Sequence, residues 1–303
     1  MSLRAPLRSR VLEPLPRLLY EPLVRAGLLE DLGLAGDLTS EATIPRGTAT
    51  GAALVAREPG VLAGLDAALL AFELLDPGVE IERLRQDGER IAAGESCANL
   101  SGDARALLAG ERTALNLLGR LSGVATATAA AVAAAGGACT IVETRKTTPG
   151  LRALEKYAVR AGGGGNHRLR LDDAILIKDN HVALAGGVRP ALERARARAG
   201  HLVKVQIEVD TLAQLDEVLA SEAQADAVLL DNFELDELRE AVRRAAGRVV
   251  LEASGRMSLE RVAAVAATGV DVISIGALTH SVRVLDIGLD VVANSPLANS
   301  PLQ

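Results

Sequence analysis

The chain is nearly free of aromatic side chains: of 303 residues, two are Phe, two are Tyr and none is Trp. So few flat rings leave no platform on which bases could stack, which argues against single-stranded nucleic-acid binding. A formal charge of −6 and a pI near 5.4 argue against duplex binding, so no nucleic-acid partner is expected. Cysteine is scarce too. Cys97 and Cys139 cannot build a disulfide framework or a Cys-rich zinc site. They read as two small buried side chains in a reducing, cytoplasmic compartment. No run of 18 uncharged apolar residues occurs, so no membrane span is expected. The four His have no HExxH-like spacing, which makes a zinc site a weak reading. No GxxxxGK followed by Ser or Thr is present, and the glycine run Gly162–Gly165 follows a helical stretch, so neither nucleotide fingerprint applies. The start, MSLRAPLRSRVLEPLPRLL, has four Arg and three Pro but no continuous apolar stretch. It is not a secretory signal, and reads as a disordered arm able to dock on a neighbour.

What is present is aliphatic. Residues of the hydrophobic class make up 49% of the chain, so the core must be Leu, Val, Ile and Ala. Leu18 to Leu29 has helical spacing, broken by Gly33 and Gly36, and Asp37 or Thr39 could cap the segment after the break. Strands are expected at 48–57, 79–85 and 96–100, with a short apolar helix from Leu65 to Leu75. This mixture without regular alternation indicates a small α+β domain. From Asp103 a helical pattern runs for about thirty residues. Gly119 and Gly123 are expected to divide it into two helices.

After Gly137 the pattern becomes strict strand–helix alternation. Apolar, β-branched strands are expected at 139–144, 174–178, 203–209, 226–231, 248–253 and 270–276. Helices follow the first five, around 150–161 and at 189–199, 211–221, 234–246 and 258–267. Such strands are buried on both faces, and six such units in series imply a parallel sheet, closed or open.

Polar residues fall at the same place in each unit: Glu143, Arg145 and Lys146; Lys178-Asp179-Asn180; Glu208; Asp231-Asn232; Glu252 and Ser254-Gly255; Gly276. In a parallel barrel these strand ends share one mouth, the place where such folds keep their active sites. The basic charge concentrates there. From Arg145 to Lys178 there are eight Lys or Arg and three Asp or Glu, a net of 8 − 3 = +5, leaving −6 − 5 = −11 for the remainder. An acidic protein that gathers its cations in one segment is building an anion site. Arg145, Lys146, Arg168 and Lys178 suit a small polyanion. His167 reads as a hydrogen-bonding group at the site. Glu208 and Asp231 suit Mg²⁺ or ribose hydroxyls. Ser254, Gly255 and Gly276 suit a phosphate held by backbone N–H groups. Together they describe a carboxylate-bearing substrate beside a phosphorylated sugar. A Schiff-base lyase using Lys146 or Lys178 is a competing reading, weakened by flanking charges that would keep such a lysine protonated.

The stretches ERTALN (111–116), ETRKTTPGLRALEKYAVRAGGGGNHR (143–168), LIKDNH (176–181), LLDNF (229–233), LEASG (251–255) and GVDVISIGALTHS (269–281) resemble the quinolinate phosphoribosyltransferase family. The likeness extends from EDLGLAGDLTS (30–40) onward. It implies transfer of phosphoribosyl from phosphoribosyl pyrophosphate to quinolinate with loss of CO₂, giving nicotinate mononucleotide for NAD biosynthesis. It also implies an incomplete α/β barrel of about seven strands, over residues 118–281, with an N-terminal α+β sandwich domain over 1–117 joined by the tail 282–303. A homodimer is implied, in which Arg112 reaches into the partner's site. Read by itself, Arg112 is a solvated helix residue beside Glu111. By the same resemblance Arg145, His167, Arg168 and Lys178 hold the quinolinate carboxylates. Lys146, Glu208, Asp231, Ser254, Gly255 and Gly276 hold the phosphoribosyl donor and its Mg²⁺.

Two residues depart from the family's usual pattern. Arg256 stands where a second glycine follows Ser-Gly, and Asp210 where Glu is more usual. The alternatives are a non-carboxylating enzyme acting on nicotinate and a paralogue that binds a phosphorylated ligand without turnover. The first would not need so many cations, and the second would have lost clamp residues.

Overall fold

A computed structural model gives the fold and describes residues 12–292. The first ten residues of the arginine-rich start, Val11 and the tail beyond Val292 lie outside the described residues. The chain divides into two units. Among the described residues one comprises Thr128–Thr147 and Gly164–His280, and the other 12–127, 148–163 and 281–292.

The second of these units begins with helices α1 (Glu21–Leu32) and α2 (Leu38–Thr43). Asp37 caps α2, its carboxylate accepting the N–H groups of Thr39 and Ser40 at 3.0 and 3.1 Å, which satisfies donors the first turn leaves free. Strands β1 (Ala49–Ala56), β2 (Gly60–Val61), β3 (Glu80–Arg83), β4 (Arg90–Ile91) and β5 (Ser96–Asp103) come next, with α3 (Leu65–Leu75) between β2 and β3. The main sheet is antiparallel. β1 lies between β5 and the strand Ile287–Val292, and β3 flanks β5.

Helix α4 (Ala104–Ala135) starts where Asp103 accepts the Ala106 N–H at 3.0 Å. It is one helix of 32 residues and runs uninterrupted past residues 117–118. The expected break at Gly119 and Gly123 does not occur. A Cβ on Gly119 would stand 2.8 Å from the Leu285 carbonyl oxygen, and one on Gly123 would stand 2.2 Å from that of Arg283. The Leu285 N–H donates to Gly119 O at 3.0 Å. These glycines let another stretch of backbone lie against the helix. By length and composition α4 could cross a membrane. Its Leu107, Leu118, Leu121 and Val124 are buried, and Ser122 and Thr126 accept the N–H groups of Ala63 and Val61, which makes it a core helix.

Helix α5 (Arg152–Ala161) belongs to this same unit rather than to the barrel whose alternation it continues in sequence. Glu155 is wholly buried and pairs with Arg120 at 2.9 Å. Tyr157 donates to Asp87 at 2.8 Å. Of the cysteines, Cys97 is buried as expected and Cys139 is half-buried.

The other unit is built on β6 (Thr140–Val142), β7 (Ile175–Ile177), β8 (Val205–Val209), β9 (Ala227–Asp231), β10 (Val250–Ser254) and β11 (Val272–Ser274). Its helices are α6 (Asp179–Ala185), α7 (Val188–Arg198), α8 (Leu212–Ala220), α9 (Leu235–Ala245), α10 (Leu259–Ala266) and α11 (Ala277–His280). The six strands are parallel in the order β6-β11-β10-β9-β8-β7. The last strand returns to pair with the first, so the sheet closes everywhere except between β6 and β7. There Gly165 forms a single parallel bridge with Val142, its N–H reaching Ile141 O at 2.8 Å. Among the described residues the barrel sheet has six strands where about seven were expected, and the glycine run bridges the edge of β6 that β11 leaves open. Strand alternation sends Val205, Ile207, Val209, Val228 and Leu230, all fully buried, toward the helices, and Gln206, Glu208, Asp231, Glu252 and Ser254 toward the interior. The Gln206–Glu252 hydrogen bond of 2.8 Å, from β8 across to β10, fixes that assignment.

Candidate active site at the barrel mouth

The cationic side of the mouth is made by the segments after β6 and after Gly165. Arg145 and Arg168 lie near enough to interact: burial, and then the charge of Arg145, push the Arg168 guanidinium below its ordinary range. The Nε of each is buried without a hydrogen-bond partner. Arg168 commits Nη1 to the carbonyl of Ala174 at 3.0 Å. Buried guanidinium N–H groups left without a protein partner suit an anion. His167 sits beside them, its Nδ1 accepting the Arg168 backbone N–H at 2.8 Å and its Nε2 lying 3.5 Å from Glu252.

The acidic side lies on β8 and β9. Burial pushes the Glu208 carboxyl upward; Asp231, Asp179 and Asp210 add to the shift and Lys178 opposes it. Asp231 is raised for the same first reason, then by Asp210, against Lys178 and Lys146. Lys178, half exposed, lies beside this acidic pair with Nζ 3.8 Å from Glu208. It follows β7 directly and is held by its neighbour one helical turn on, since its backbone N–H donates to His181 Nδ1 at 2.9 Å. That contact begins α6, a helix the sequence pattern did not announce.

The third side is backbone. Ser254 ends β10 in register with Asp231 of β9, and its carbonyl accepts the Asn232 N–H at 3.0 Å. Gly255 has φ +90°, and a Cβ there would stand 2.2 Å from Asn232 Oδ1, so only glycine fits. Asn232 and Arg256 have φ +57° and +42°. Arg256 thus holds, at some strain, the conformation a glycine would adopt freely. Its side chain is exposed. Gly276 lies against Lys146 and His280, each 3.2 Å from where its Cβ would be, and Thr279 Oγ1 donates to Lys146 O at 2.8 Å.

The structure thus gathers Arg145, Lys146, His167, Arg168, Lys178, Glu208, Asp231, Ser254, Gly255 and Gly276 into one unit, on the strands or in the segments that follow them and the Gly165 bridge. Arg112 lies in the other unit on α4, 64% exposed and 3.9 Å from Glu111. The sequence reading gave no part to Gln206, to His280, or to the buried anchoring by Glu143, whose carboxylate accepts the His167 N–H at 3.1 Å. His280 follows Gly276 by four residues, a helical spacing that was its only local signal.

A parallel barrel with a guanidinium pair, an acidic pair and glycine-bounded loops at its C-terminal rim defines a binding site for anionic substrates of the phosphorylated-sugar class. The family model of the quinolinate phosphoribosyl transferase C-terminal domain matches residues 124–290, and that of the N-terminal domain matches 37–122. The chain belongs to the quinolinate phosphoribosyltransferase family. It is 50% identical over 275 residues to a carboxylating nicotinate-nucleotide pyrophosphorylase of Mycobacterium leprae, covering 88% of this chain and 95% of that one. It is 40% identical to a chloroplastic carboxylating enzyme of Arabidopsis thaliana, covering 89% of this chain and 82% of the other. Among solved structures, the nicotinate-nucleotide pyrophosphorylase of Francisella tularensis superposes with a TM-score of 0.88 at 38% identity, covering 92% of this chain and 98% of that one.

Proposed function

We propose that the barrel mouth transfers the phosphoribosyl group of phosphoribosyl pyrophosphate to the ring nitrogen of quinolinate and then releases CO₂, forming nicotinate mononucleotide and pyrophosphate. The observation that carries this reading is the pair Arg145 and Arg168 with buried, unpartnered Nε groups. Quinolinate bears two adjacent carboxylates, and two guanidiniums match that dianion in charge.

The acidic side answers the other half of the chemistry. As the bond from the ribose C1′ to pyrophosphate breaks and that to nitrogen forms, positive charge develops at C1′. Glu208 and Asp231 stabilise it from across the mouth. Their carboxyls also fit Mg²⁺: they are two acids crowded by Asp210 and Asp179. Such an ion would be carried largely by substrate phosphates. When bound, Mg²⁺ neutralises the leaving pyrophosphate. Lys146 supports that same charge, and Ser254, Gly255 and Gly276 receive donor phosphate on backbone N–H groups. Once the nitrogen is cationic, loss of the neighbouring carboxylate leaves an electron pair beside it. That pair takes up a proton, and the protein's part is to hold geometry and exclude water.

The exposure of Arg112 supports a homodimer in which it completes the partner's site, and the two free cysteines are consistent with a cytoplasmic location. Incubation with quinolinate, phosphoribosyl pyrophosphate and Mg²⁺ should yield CO₂ and nicotinate mononucleotide. Turnover of nicotinate with none of quinolinate would overturn the reading.

A further inference from the structure

Two carboxylates are sealed inside the barrel unit: Glu143, 0% exposed, and Glu252, 5% exposed. A buried charge is retained only where partners compensate it, and each of these carboxylates has a partner in His167, while Glu252 Oε1 itself makes no hydrogen bond. Glu143 receives the His167 backbone N–H at 3.1 Å and the Asn166 side-chain amide at 3.0 Å. Glu252 receives Gln206 Nε2 at 2.8 Å and faces His167 Nε2 at 3.5 Å. Burial by itself would raise the Glu252 carboxyl; the facing His167, then Ser274 and Gln206, reverse this and hold it below its ordinary value.

The ring's other nitrogen settles its protonation. Nδ1 accepts the Arg168 backbone N–H at 2.8 Å, and an accepting nitrogen carries no proton. The ring proton therefore sits on Nε2 and points at Glu252. Both ring nitrogens are engaged by protein. Arg168 is in turn held at two points: its backbone N–H by the ring, and Nη1 by Ala174 O at 3.0 Å. What is left to it is the buried, unpartnered Nε and the remaining Nη, with Arg145 near enough to bear on its charge.

We propose that Glu252 is a positioning residue for the dicarboxylate clamp: through His167 it fixes one ring tautomer, and that tautomer fixes Arg168. His167 then serves the substrate at one remove, by setting the guanidinium, rather than by touching a carboxylate. The inference rests on the proposed function for its kinetic consequence, while the tautomer is a property of the free protein.

Two measurements test this. Long-range ¹H–¹⁵N spectra of the wild-type protein at neutral pH, with His167 assigned by loss of its signals in His167→Gln, should show the Nε2–H tautomer. In Glu252→Ala that signature should give way to a tautomer mixture. In kinetics, Glu252→Ala should raise KM for quinolinate at least tenfold and leave KM for phosphoribosyl pyrophosphate within twofold. Glu252→Gln keeps an acceptor for Nε2–H and should recover most of the loss. A purely structural role would lower the active fraction with both KM values intact. The proposal is overturned by an Nδ1–H or doubly protonated His167 in the wild type, or by a wild-type quinolinate KM in both variants. If Glu252→Ala does not fold, the wild-type spectrum and Glu252→Gln still decide, the latter then expected to show a smaller rise in quinolinate KM. If wild type fails to turn over quinolinate while its spectrum shows Nε2–H, the functional reading fails and the tautomer assignment stands.

Discussion

Replacing Arg168 by Met should separate stability from function. In the free protein Arg168 makes one hydrogen bond through Nη1, to Ala174 O at 3.0 Å, worth about 1 kcal/mol. Against this stand a buried Nε with no partner, a penalty of about 1–3 kcal/mol, and the proximity of Arg145. Met fills similar space without a polar group, so free Arg168→Met should melt no lower than wild type. Quinolinate binding should behave oppositely. Losing a charge-assisted, bidentate contact removes about 3 kcal/mol, roughly a hundredfold in affinity. The readout is thermal shift at a quinolinate concentration of about 100 times the wild-type Kd. Wild type gains RT ln 101, about 2.7 kcal/mol, and the variant gains RT ln 2, about 0.4 kcal/mol. For a chain of this size that is about 5 °C against less than 1 °C. A variant that melts several degrees lower when free would refute the strain argument. One that keeps the full quinolinate shift would refute the clamp.

Other parts of the molecule make their own demands. Gly123→Ala improves intrinsic helix propensity by about 1 kcal/mol, yet its Cβ would meet the Arg283 carbonyl oxygen at 2.2 Å. Chemical denaturation should therefore show a net loss of about 1–3 kcal/mol, and a gain would restore the reading of this residue as a simple breaker. Gly255→Ala combines a positive φ with a 2.2 Å approach to Asn232 Oδ1. It should cost about 2–4 kcal/mol and raise KM for the phosphoribosyl donor more than for quinolinate; equal effects on both would count against a donor-phosphate role. Glu208 and Asp231 both hold protons more tightly folded than unfolded. They disfavour the native state increasingly as pH rises from about 4, where free carboxyls titrate, through their raised values. The double variant Glu208→Gln, Asp231→Asn should thus be inactive but more stable than wild type at pH 7 in urea titrations, with the difference vanishing near pH 4. A pH-independent difference, or a less stable variant, would contradict the shifts.

The rim was legible in the sequence because it depends on local pattern. Five of the six apolar, β-branched runs end in a polar residue and the sixth in Gly276, and parallel strands bring like ends together. Lys178, Glu208, Asp231 and Ser254 could be placed that way. What escaped depends on partners distant in the chain. Gly119 and Gly123 look like breakers until residues 283–285 are laid against them. The helix Arg152–Ala161 continues the barrel's alternation, yet its buried Glu155 and Tyr157 find Arg120 and Asp87, which no periodicity records. Asp179-Asn180-His181 reads as rim loop until the His181 ring accepts the Lys178 N–H and starts a helix. Glu143 and Glu252 obey the same rule. A carboxylate at a strand end gives no sign in sequence of whether it faces solvent or a histidine.

The division of charge across the mouth bears on how catalysis would be divided. Arg145 and Arg168 hold more positive charge together than the barrel wall neutralises, and Glu208 and Asp231 hold more negative charge than they would choose. Lys178, at 3.8 Å from Glu208 and half exposed, is too weakly engaged to balance either side. A protein selected only for stability would pair these groups directly. Kept apart, they favour a bound species that is anionic at one end and becomes cationic at the other. Quinolinate with its ring nitrogen toward C1′ has that polarity, and the polarity grows as the C1′–oxygen bond breaks and the nitrogen becomes quaternary. The carboxylate contacts are present in the ground state and chiefly set affinity. The acidic contacts strengthen only as charge develops, so they lower the barrier. The two halves should accordingly separate in kinetics, with clamp substitutions falling mainly on KM for quinolinate and substitutions at Glu208 or Asp231 falling mainly on kcat.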